Sequence, residues 1–137
     1  MKTFSKLLLI FLSGFFLECH SRSISMNESL ASDEIWKKYR EGDVEAYYSL
    51  QEYFRLECVP GMFIDKAKYF ADTIQYKPAN LDVFEEYLFK YNINEEAVDM
   101  SKMTKIDKKD AIRYLTKARE YKLEGVEKYN YVPSFKQ

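Results

Sequence analysis

The residues most able to do chemistry in this 137-residue chain are a single histidine and a few paired carboxylates. The histidine, His20, lies beside an apolar N-terminal run that has the features of an export signal. A mature domain without His20 has no Ser–His or Cys–His nucleophile and no histidine-based zinc site. The inventory argues against most hydrolase chemistry, and we expect no catalytic residue, no cofactor and no metal.

Two carboxylate pairs remain, Glu85 with Glu86 and Glu95 with Glu96. Adjacent residues on a helix point about 100° apart, so the members of a pair cannot jointly flank one substrate atom. We interpret both pairs as solvated helix positions. The "DKKDA" stretch at Asp107 lacks the ligand spacing of a calcium loop, and we interpret it as a helix cap. These patterns predict a protein that is not an enzyme.

Composition favours one all-helical domain. The chain has 21 Lys and Arg against 22 Asp and Glu, a formal charge of −1, so nothing indicates a nucleic-acid partner. With 12 Tyr and 10 Phe but only 4 Gly and 3 Pro, the chain suits packed helices better than a turn-rich β fold.

The N-terminus has the pattern of a signal peptide. Lys2 and Lys6 precede the apolar run "LLLIFLSGFFL", which is short for a membrane span but typical of a signal-peptide core. The alternatives are an uncleaved anchor helix and a buried core helix, although the polar "ECHSRS" follows at once. We therefore assign residues 1–21 to a signal peptide and 22–31 to a flexible tether, and we expect a periplasmic or cell-envelope protein.

Two maturation sites compete. "FFLEC" resembles a bacterial lipoprotein box that would lipidate Cys19, but Glu18 stands where the box has a small residue. Cleavage after Ser21 is the other reading. Lipidated Cys19 would be the chain's only link to a membrane. Cys58 is expected to be a buried small residue, with a bridge to Cys19 as the alternative if that thiol is kept.

Apolar residues recur at helical spacing from about Ser32 onward and predict five helices. Ser32 and Asp43 are expected to cap the first two helices. The segments are about 33–40, 44–57, 62–75, 79–91 and 107–125. The polar connection 94–106 is predicted to hold at most one short helical turn. The helical domain is thus 32–125, followed by a C-terminal tail at 126–137.

Small and aromatic residues repeat in register, which predicts two tandem helix pairs. The matched positions, 33 residues apart in the first helices and 44 apart in the second, are Ala46 with Ala79, Leu50 with Val83, Phe54 with Tyr87, Ala67 with Ala111 and Phe70 with Tyr114. A helical hairpin cannot bury its apolar stripe alone, and small residues let neighbouring helices approach. We expect an all-α fold of stacked antiparallel helical hairpins.

The repeated residues resemble those of the Sel-one-like repeats, relatives of the tetratricopeptide repeats. "GDVEAYYSLQEYF" has the pattern of their first helix and "AIRYLTKA" that of their second. The resemblance covers about Gly42 to Gly125. Two positions depart from it: Gln51 stands where the family has a small glycine, and so does Phe84 in the second copy.

The resemblance implies an adaptor that holds proteins or peptides on a concave surface. Transferred position by position, it places the binding residues at Tyr48, Glu52, Arg55, Glu85 and Leu88. Tyrosine and arginine often anchor interfaces because they combine large contact area with a polar end. For Glu52 the plain alternative is a solvated helix position, and for Leu88 it is the core.

Two functions follow from these observations. The first is a non-enzymatic scaffold that binds a protein or peptide in the bacterial cell envelope. The alternative is a small inhibitor or immunity protein that blocks a secreted enzyme or toxin. A protruding acidic patch of Glu95, Glu96 and Asp99 would favour the alternative. The partner's identity and the oligomeric state stay open.

Overall fold

The computed structural model describes residues 33–56 and 60–134, which form five α-helices and two short 3₁₀ turns. The helices are α1 (Asp33–Arg40), α2 (Val44–Leu56), α3 (Ile64–Asp72), α4 (Ala79–Lys90) and α5 (Lys105–Glu120). The 3₁₀ turns are Met100–Lys102 and Val126–Tyr129. These residues contain no strand, so the all-α prediction with five helices is confirmed. None of the described helices has the length and apolar character needed to span a membrane.

Several predictions concern residues outside the described ranges. They are the signal peptide at 1–21, the tether at 22–31, the lipidation of Cys19, the cap at Ser32 and the burial of Cys58. Each of them stays a prediction.

The chain divides into two compact units, one that ends at Ala46 and one that begins at Tyr47. In the first unit, Asp43 caps α2 as predicted, since its Oδ1 accepts a hydrogen bond from the Ala46 amide at 2.8 Å. Gly42 adopts a left-handed φ of 87° between α1 and α2. Trp36 and Tyr39 pack edge to face on α1, with ring centroids 5.7 Å apart.

In the second unit, helices that follow each other in sequence are antiparallel. Tyr47 on α2 stacks on Phe70 at the far end of α3 with 4.3 Å between ring centroids. At the other end of the pair, Phe54 lies 5.9 Å from Phe63, which directly precedes α3. The short connection from Asp72 to Ala79 then brings α4 back against α3, as expected for short loops between helices.

The α4 and α5 helices form a second antiparallel pair. Tyr87 donates a hydrogen bond to Asp110 Oδ2, and Tyr91 donates one to Asp107 Oδ2, both at 2.7 Å. Tyr87 lies within α4 and Tyr91 directly follows it, so the later tyrosine meets the earlier aspartate of α5. The insertion 94–106 connects the two helices without separating them.

Alternate helices lie side by side and run parallel. On α2, Tyr47 bonds to Asp82 and Gln51 bonds to Glu86, in both cases 35 residues further along the chain. We call this contact the α2/α4 seam. Its constant offset means that the two helices advance together, as equivalent helices of neighbouring repeats do.

The α3/α5 seam has the same geometry. Lys68 pairs with Asp110, and Asp72 accepts a hydrogen bond from Tyr114, 42 residues further on. The contact offset of this seam differs from the 44 residues of the sequence alignment by half a helical turn. Equivalent positions therefore lie near each other on α3 and α5 but not directly opposite.

All five pairs of matched positions are buried. Their members are Ala46 and Ala79, Leu50 and Val83, Phe54 and Tyr87, Ala67 and Ala111, and Phe70 and Tyr114. The repeated pattern thus identified core positions correctly in both helix pairs. Whether the pairs belong to the Sel-one-like family stays a prediction.

Helices α3 and α5 differ from their predicted bounds. Helix α3 spans only Ile64–Asp72, shorter at both ends than 62–75. Helix α5 begins at Lys105 and not at Asp107, because Thr104 is its N-cap and accepts a hydrogen bond from the Asp107 amide at 3.1 Å. It ends at Glu120 and not at Gly125. The interpretation of Asp107 as the cap is therefore wrong, and its carboxylate instead binds Lys90 at the end of α4 and Tyr91, which directly follows it.

The C-terminal residues 126–134 pack against the helices. Val126, Tyr129 and Val132 are buried, and the Tyr129 ring meets Phe84 of α4 edge to face at 4.9 Å. Arg119 donates hydrogen bonds to the carbonyl oxygens of Tyr129 and Val132, both at 2.6 Å. The segment thus covers one side of α4.

Candidate functional site

Four of the five predicted binding residues border one surface. Tyr48, Glu52 and Arg55 follow each other at intervals of four and three residues on α2, so they share one side of the helix. Tyr48 is 39% exposed and the Arg55 side chain is 41% exposed. Glu85 lies on the neighbouring α4 and is half-buried.

The fifth residue, Leu88, is 1% exposed and belongs to the core, so its assignment to a binding surface is wrong. Helix α4 is rotated relative to the transferred pattern, which brings Phe89 to the surface at 36% exposure. Asp82, half-buried, lies one turn before Glu85 on the same side. We define the α2/α4 face as Tyr48, Glu52, Arg55, Asp82, Glu85 and Phe89.

A buried carboxylate lies beneath this face. Glu86 is 1% exposed and accepts hydrogen bonds on Oε1 from Gln51 Nε2 at 3.2 Å and from Arg55 Nε at 2.9 Å. Its interpretation as a solvated position is therefore wrong. A carboxylate so deeply buried requires such donors. Gln51 stands where the resembling family has glycine, and that departure was the sequence signal for this network.

Two further hydrogen bonds hold Tyr47 and Tyr48 of α2. Tyr47, fully buried, donates to Asp82 Oδ2 at 2.8 Å. The hydroxyl of the exposed Tyr48 lies 3.3 Å from the hydroxyl of Tyr76. The centroids of the two rings are 6.3 Å apart. A surface tyrosine held in this way has already lost part of the rotamer freedom that binding would otherwise remove.

Burial dominates the electrostatics of the seam. It raises the pKa of Asp82 to about 6, although the hydrogen bond from Tyr47 acts in the opposite direction. Burial also raises the pKa of Glu86, against the lowering effects of Arg55 and Gln51. The α2/α4 seam therefore holds two carboxylates on adjacent turns of α4 whose ionised forms are disfavoured.

The C-terminal segment borders the face on its other side. Lys128 makes ion pairs with Glu85 at 3.0 Å and with Glu95 at 2.9 Å, and Tyr129 donates a hydrogen bond to Glu85 at 3.1 Å. The amide of Val98 also donates to the Tyr131 hydroxyl at 3.0 Å. The insertion is thus attached to the C-terminal segment.

The α3/α5 seam combines carboxylates with cations. Asp72 receives hydrogen bonds from Tyr114 and, at 2.9 Å, from Lys117. Burial would raise the pKa of Asp72, but these two donors outweigh it and lower the pKa. Asp72 is therefore stabilised as an anion, in contrast to Asp82.

Two aspartates in the first half of α5 are likewise stabilised as anions. Asp110 pairs with Lys68 and with Arg113, and these bonds lower its pKa in spite of burial. The hydrogen bond from Lys90 to Asp107, at 2.7 Å, is the main cause of the lowered pKa of Asp107. Each of these carboxylates has a lysine within bonding distance.

A groove of about 870 Å³ runs along the outer side of α5 from Ile106 to Glu120. All its lining residues belong to this one helix, so it is a depression between long side chains and not an enclosed cavity. It includes none of the predicted binding residues. Across residues 33–56 and 60–134, no group of three or more histidine, cysteine, aspartate or glutamate side chains is placed to hold a metal ion.

The arrangement of side chains at the α2/α4 face is suited to binding another molecule. Polar side chains at the α2/α4 face are held by neighbours, and aromatic rings lie beside them. Sequence reasoning missed Asp82, Glu86, Phe89 and Lys128, because their positions depend on the rotation of α4 and on the packing of the C-terminal segment.

No family model matches the sequence, and no curated protein or solved structure matches it. The function has to be argued from the chain's own surface.

Proposed function

We propose that the protein is exported and binds a protein or peptide partner outside the cytoplasm through the α2/α4 face, without catalysing a reaction. The observation that carries the proposal is the pair of prearranged anchors on α2. Tyr48 and Arg55 are each about two-fifths exposed, yet both are held by hydrogen bonds, to Tyr76 and to Glu86.

Tyrosine and arginine are the residue types that most often dominate binding energy at interfaces. Anchors fixed before binding lose less conformational entropy on association. The Nε–H of Arg55 is used by Glu86, and a guanidinium carries four further N–H donors for a partner. These features support a binding surface whose anchor side chains are preorganised in the free protein.

The experiment is affinity capture from the native cell envelope with the full mature chain. The test variant carries Tyr48→Ala and Arg55→Ala. The control variant carries Tyr121→Ala and Arg113→Ala, which removes the same residue types from exposed positions away from the α2/α4 face. We expect a partner that the wild type and the control retain and the test variant loses, with all three melting cooperatively.

A partner retained equally by all three proteins would contradict the α2/α4 face as the binding surface. Failure of the wild type to retain any envelope protein would contradict the function itself. Export has a separate readout, the mature N-terminus measured by mass spectrometry. A lipid-modified Cys19 or a cleavage after Ser21 would support export, and an intact Met1 in the cytoplasm would contradict it.

The inhibitor alternative depended on an acidic patch in the insertion. Glu95 makes an ion pair with Lys128, and Asp99 accepts a hydrogen bond from the Ser101 amide at 2.9 Å as the cap of a 3₁₀ turn. Two of the three carboxylates thus have local roles. No observation favours the alternative over the scaffold.

A further inference from the structure

The α2/α4 face carries more acid than the chain itself neutralises. Arg55 is matched by Glu86, and Lys128 is shared between Glu85 and Glu95. Two carboxylates of the face, Glu52 and Asp82, make no ion pair within the described part of the chain. The face therefore has a negative balance even though the whole chain is close to neutral.

The region where three other helices meet has a contrasting arrangement of charge. Where α3, α4 and α5 meet, Asp72, Asp107 and Asp110 each have a lysine partner within 3 Å. The fold thus pairs each of these three aspartates with a lysine, whereas at the α2/α4 face only Glu85 and Glu86 have an ion-pair partner among the described residues.

Aromatic rings complete the pattern. On α5, Lys117 and Arg113 lie over the Tyr114 ring, at 5.3 and 4.4 Å from its centroid, and both also pair with nearby aspartates. An aromatic ring beside a carboxylate is a favourable site for a cation. This chain uses that combination to hold its own basic side chains.

The α2/α4 face repeats the combination, but its own cation, Arg55, is already paired with Glu86. Tyr48 lies close enough to Asp82 and Glu85 that their charges add to the effect of burial in raising its pKa. Phe89 lies one turn beyond Glu85 on the same side of α4. Rings and carboxylates thus line the face together.

We propose that the α2/α4 face binds a lysine- or arginine-bearing polypeptide segment, whose cations lie between Glu52 and Asp82 and over the exposed rings. The proposal rests on the proposed function and specifies the chemistry of its partner. Charge complementarity supports it, because Arg55 and Lys128 are paired with other carboxylates and a basic segment would bring the counter-charge that Glu52 and Asp82 lack.

The test measures peptide binding to the full mature chain by fluorescence anisotropy. The probes are a labelled twelve-residue peptide of alternating Arg and Ser, the same peptide with Glu in place of Arg, and spermine as competitor. We expect the arginine peptide alone to bind, with affinity falling about tenfold between 50 and 300 mM NaCl, since exposed charge pairs are screened by salt.

The test variant carries Glu52→Gln and Asp82→Asn, and the control carries Asp65→Asn and Glu120→Gln, two exposed acids on α3 and α5. We expect the test variant to bind the arginine peptide about three- to tenfold more weakly, the size of one or two exposed charge pairs. The control should stay within about twofold of the wild type. Cooperative urea unfolding of each variant would confirm that all variants are folded.

Equal binding of the acidic and basic peptides, no binding of either, or equal losses in test and control variants would overturn this inference. Displacement of the peptide by equimolar spermine would overturn its polypeptide part. If capture from the envelope depends on Tyr48 and Arg55 while the arginine peptide is not preferred, the proposed function stands and this inference fails. Preference for the arginine peptide without such a captured partner would support this inference and contradict the proposed envelope partner.

Discussion

The α2/α4 and α3/α5 seams of the second unit both join parallel helices, but they differ in their electrostatics. At the α3/α5 seam Asp72 is bound by Tyr114 and Lys117, and its pKa is lowered. At the α2/α4 seam Asp82 is bound by Tyr47, and its pKa is raised to about 6. Each seam therefore has one tyrosine–aspartate bond, but only one of them also has a lysine.

The difference separates a structural contact from a candidate binding surface. Paired charges at α3/α5 stabilise the fold at neutral pH, whereas an unpaired carboxylate at α2/α4 works against it. Side chains whose ionisation opposes folding are concentrated at functional sites, because a ligand or partner supplies the missing interaction. We interpret Asp82 in this way.

The first way to break the comparison is to overpack one helix of each seam, α4 at the α2/α4 seam and α5 at the α3/α5 seam. Ala79 and Ala111 are fully buried at matched positions, whereas Ala97 is exposed. We expect Ala79→Leu and Ala111→Leu each to lower the free energy of unfolding by about 1–3 kcal/mol, measured by urea denaturation. Ala97→Leu should change it little. Unchanged midpoints for both buried variants would contradict close helix packing at the repeated alanines.

Removing one hydroxyl from each seam sharpens the comparison. Tyr47→Phe should cost about 1–3 kcal/mol, because the half-buried Asp82 loses the donor that satisfies it. Tyr114→Phe should cost only about 0.5–1 kcal/mol, because Asp72 keeps Lys117 and is partly exposed. Thermal or urea unfolding measures both. Equal costs would contradict the electrostatic difference between the seams.

The pH dependence of stability gives a smaller effect with a definite sign. The folded pKa of Asp82, about 6, is above its ordinary value of 3.8, so its contribution is most favourable below the ordinary value and is lost as pH rises through 6. We expect the stability of Asp82→Asn relative to wild type to increase by about 1–2 kcal/mol between pH 5 and pH 7.5, measured by urea denaturation.

Asp72→Asn is the matched control for this experiment. Its folded pKa is lowered, so the aspartate stabilises the protein above its ordinary value, and that contribution is lost only as pH falls through the lowered pKa. The variant should be less stable than wild type by the same amount at pH 5 and at pH 7.5. A difference that grows between these values would contradict the assignment of opposite shifts to the two seams.

The sequence predicted what depends on local spacing. Apolar periodicity located all five helices, Asp43 was identified as a cap, and the row of Tyr48, Glu52 and Arg55 was placed on one side of α2. The repeated alanines and aromatics were correctly assigned to buried positions, because small and large residues at helical spacing reflect helix contacts in both copies.

What the sequence could not predict depends on contacts between distant segments. Leu88 is buried and Phe89 exposed because α4 has helices on one side and residues 126–134 on another. That C-terminal segment has no regular period, so its packing left no local signal. Glu86 could be recognised as buried only from its partners Gln51 and Arg55, more than 30 residues earlier.

The most direct measurement is a carboxyl ¹³C NMR titration of the aspartates in the full mature chain. We expect Asp82 to titrate near pH 6 and Asp72 below 3.8, the opposite shifts that distinguish the two seams. An Asp82 that titrates at or below 3.8 would mean that the chain itself stabilises this carboxylate as an anion. That result would contradict the proposal that the α2/α4 face binds a cationic partner.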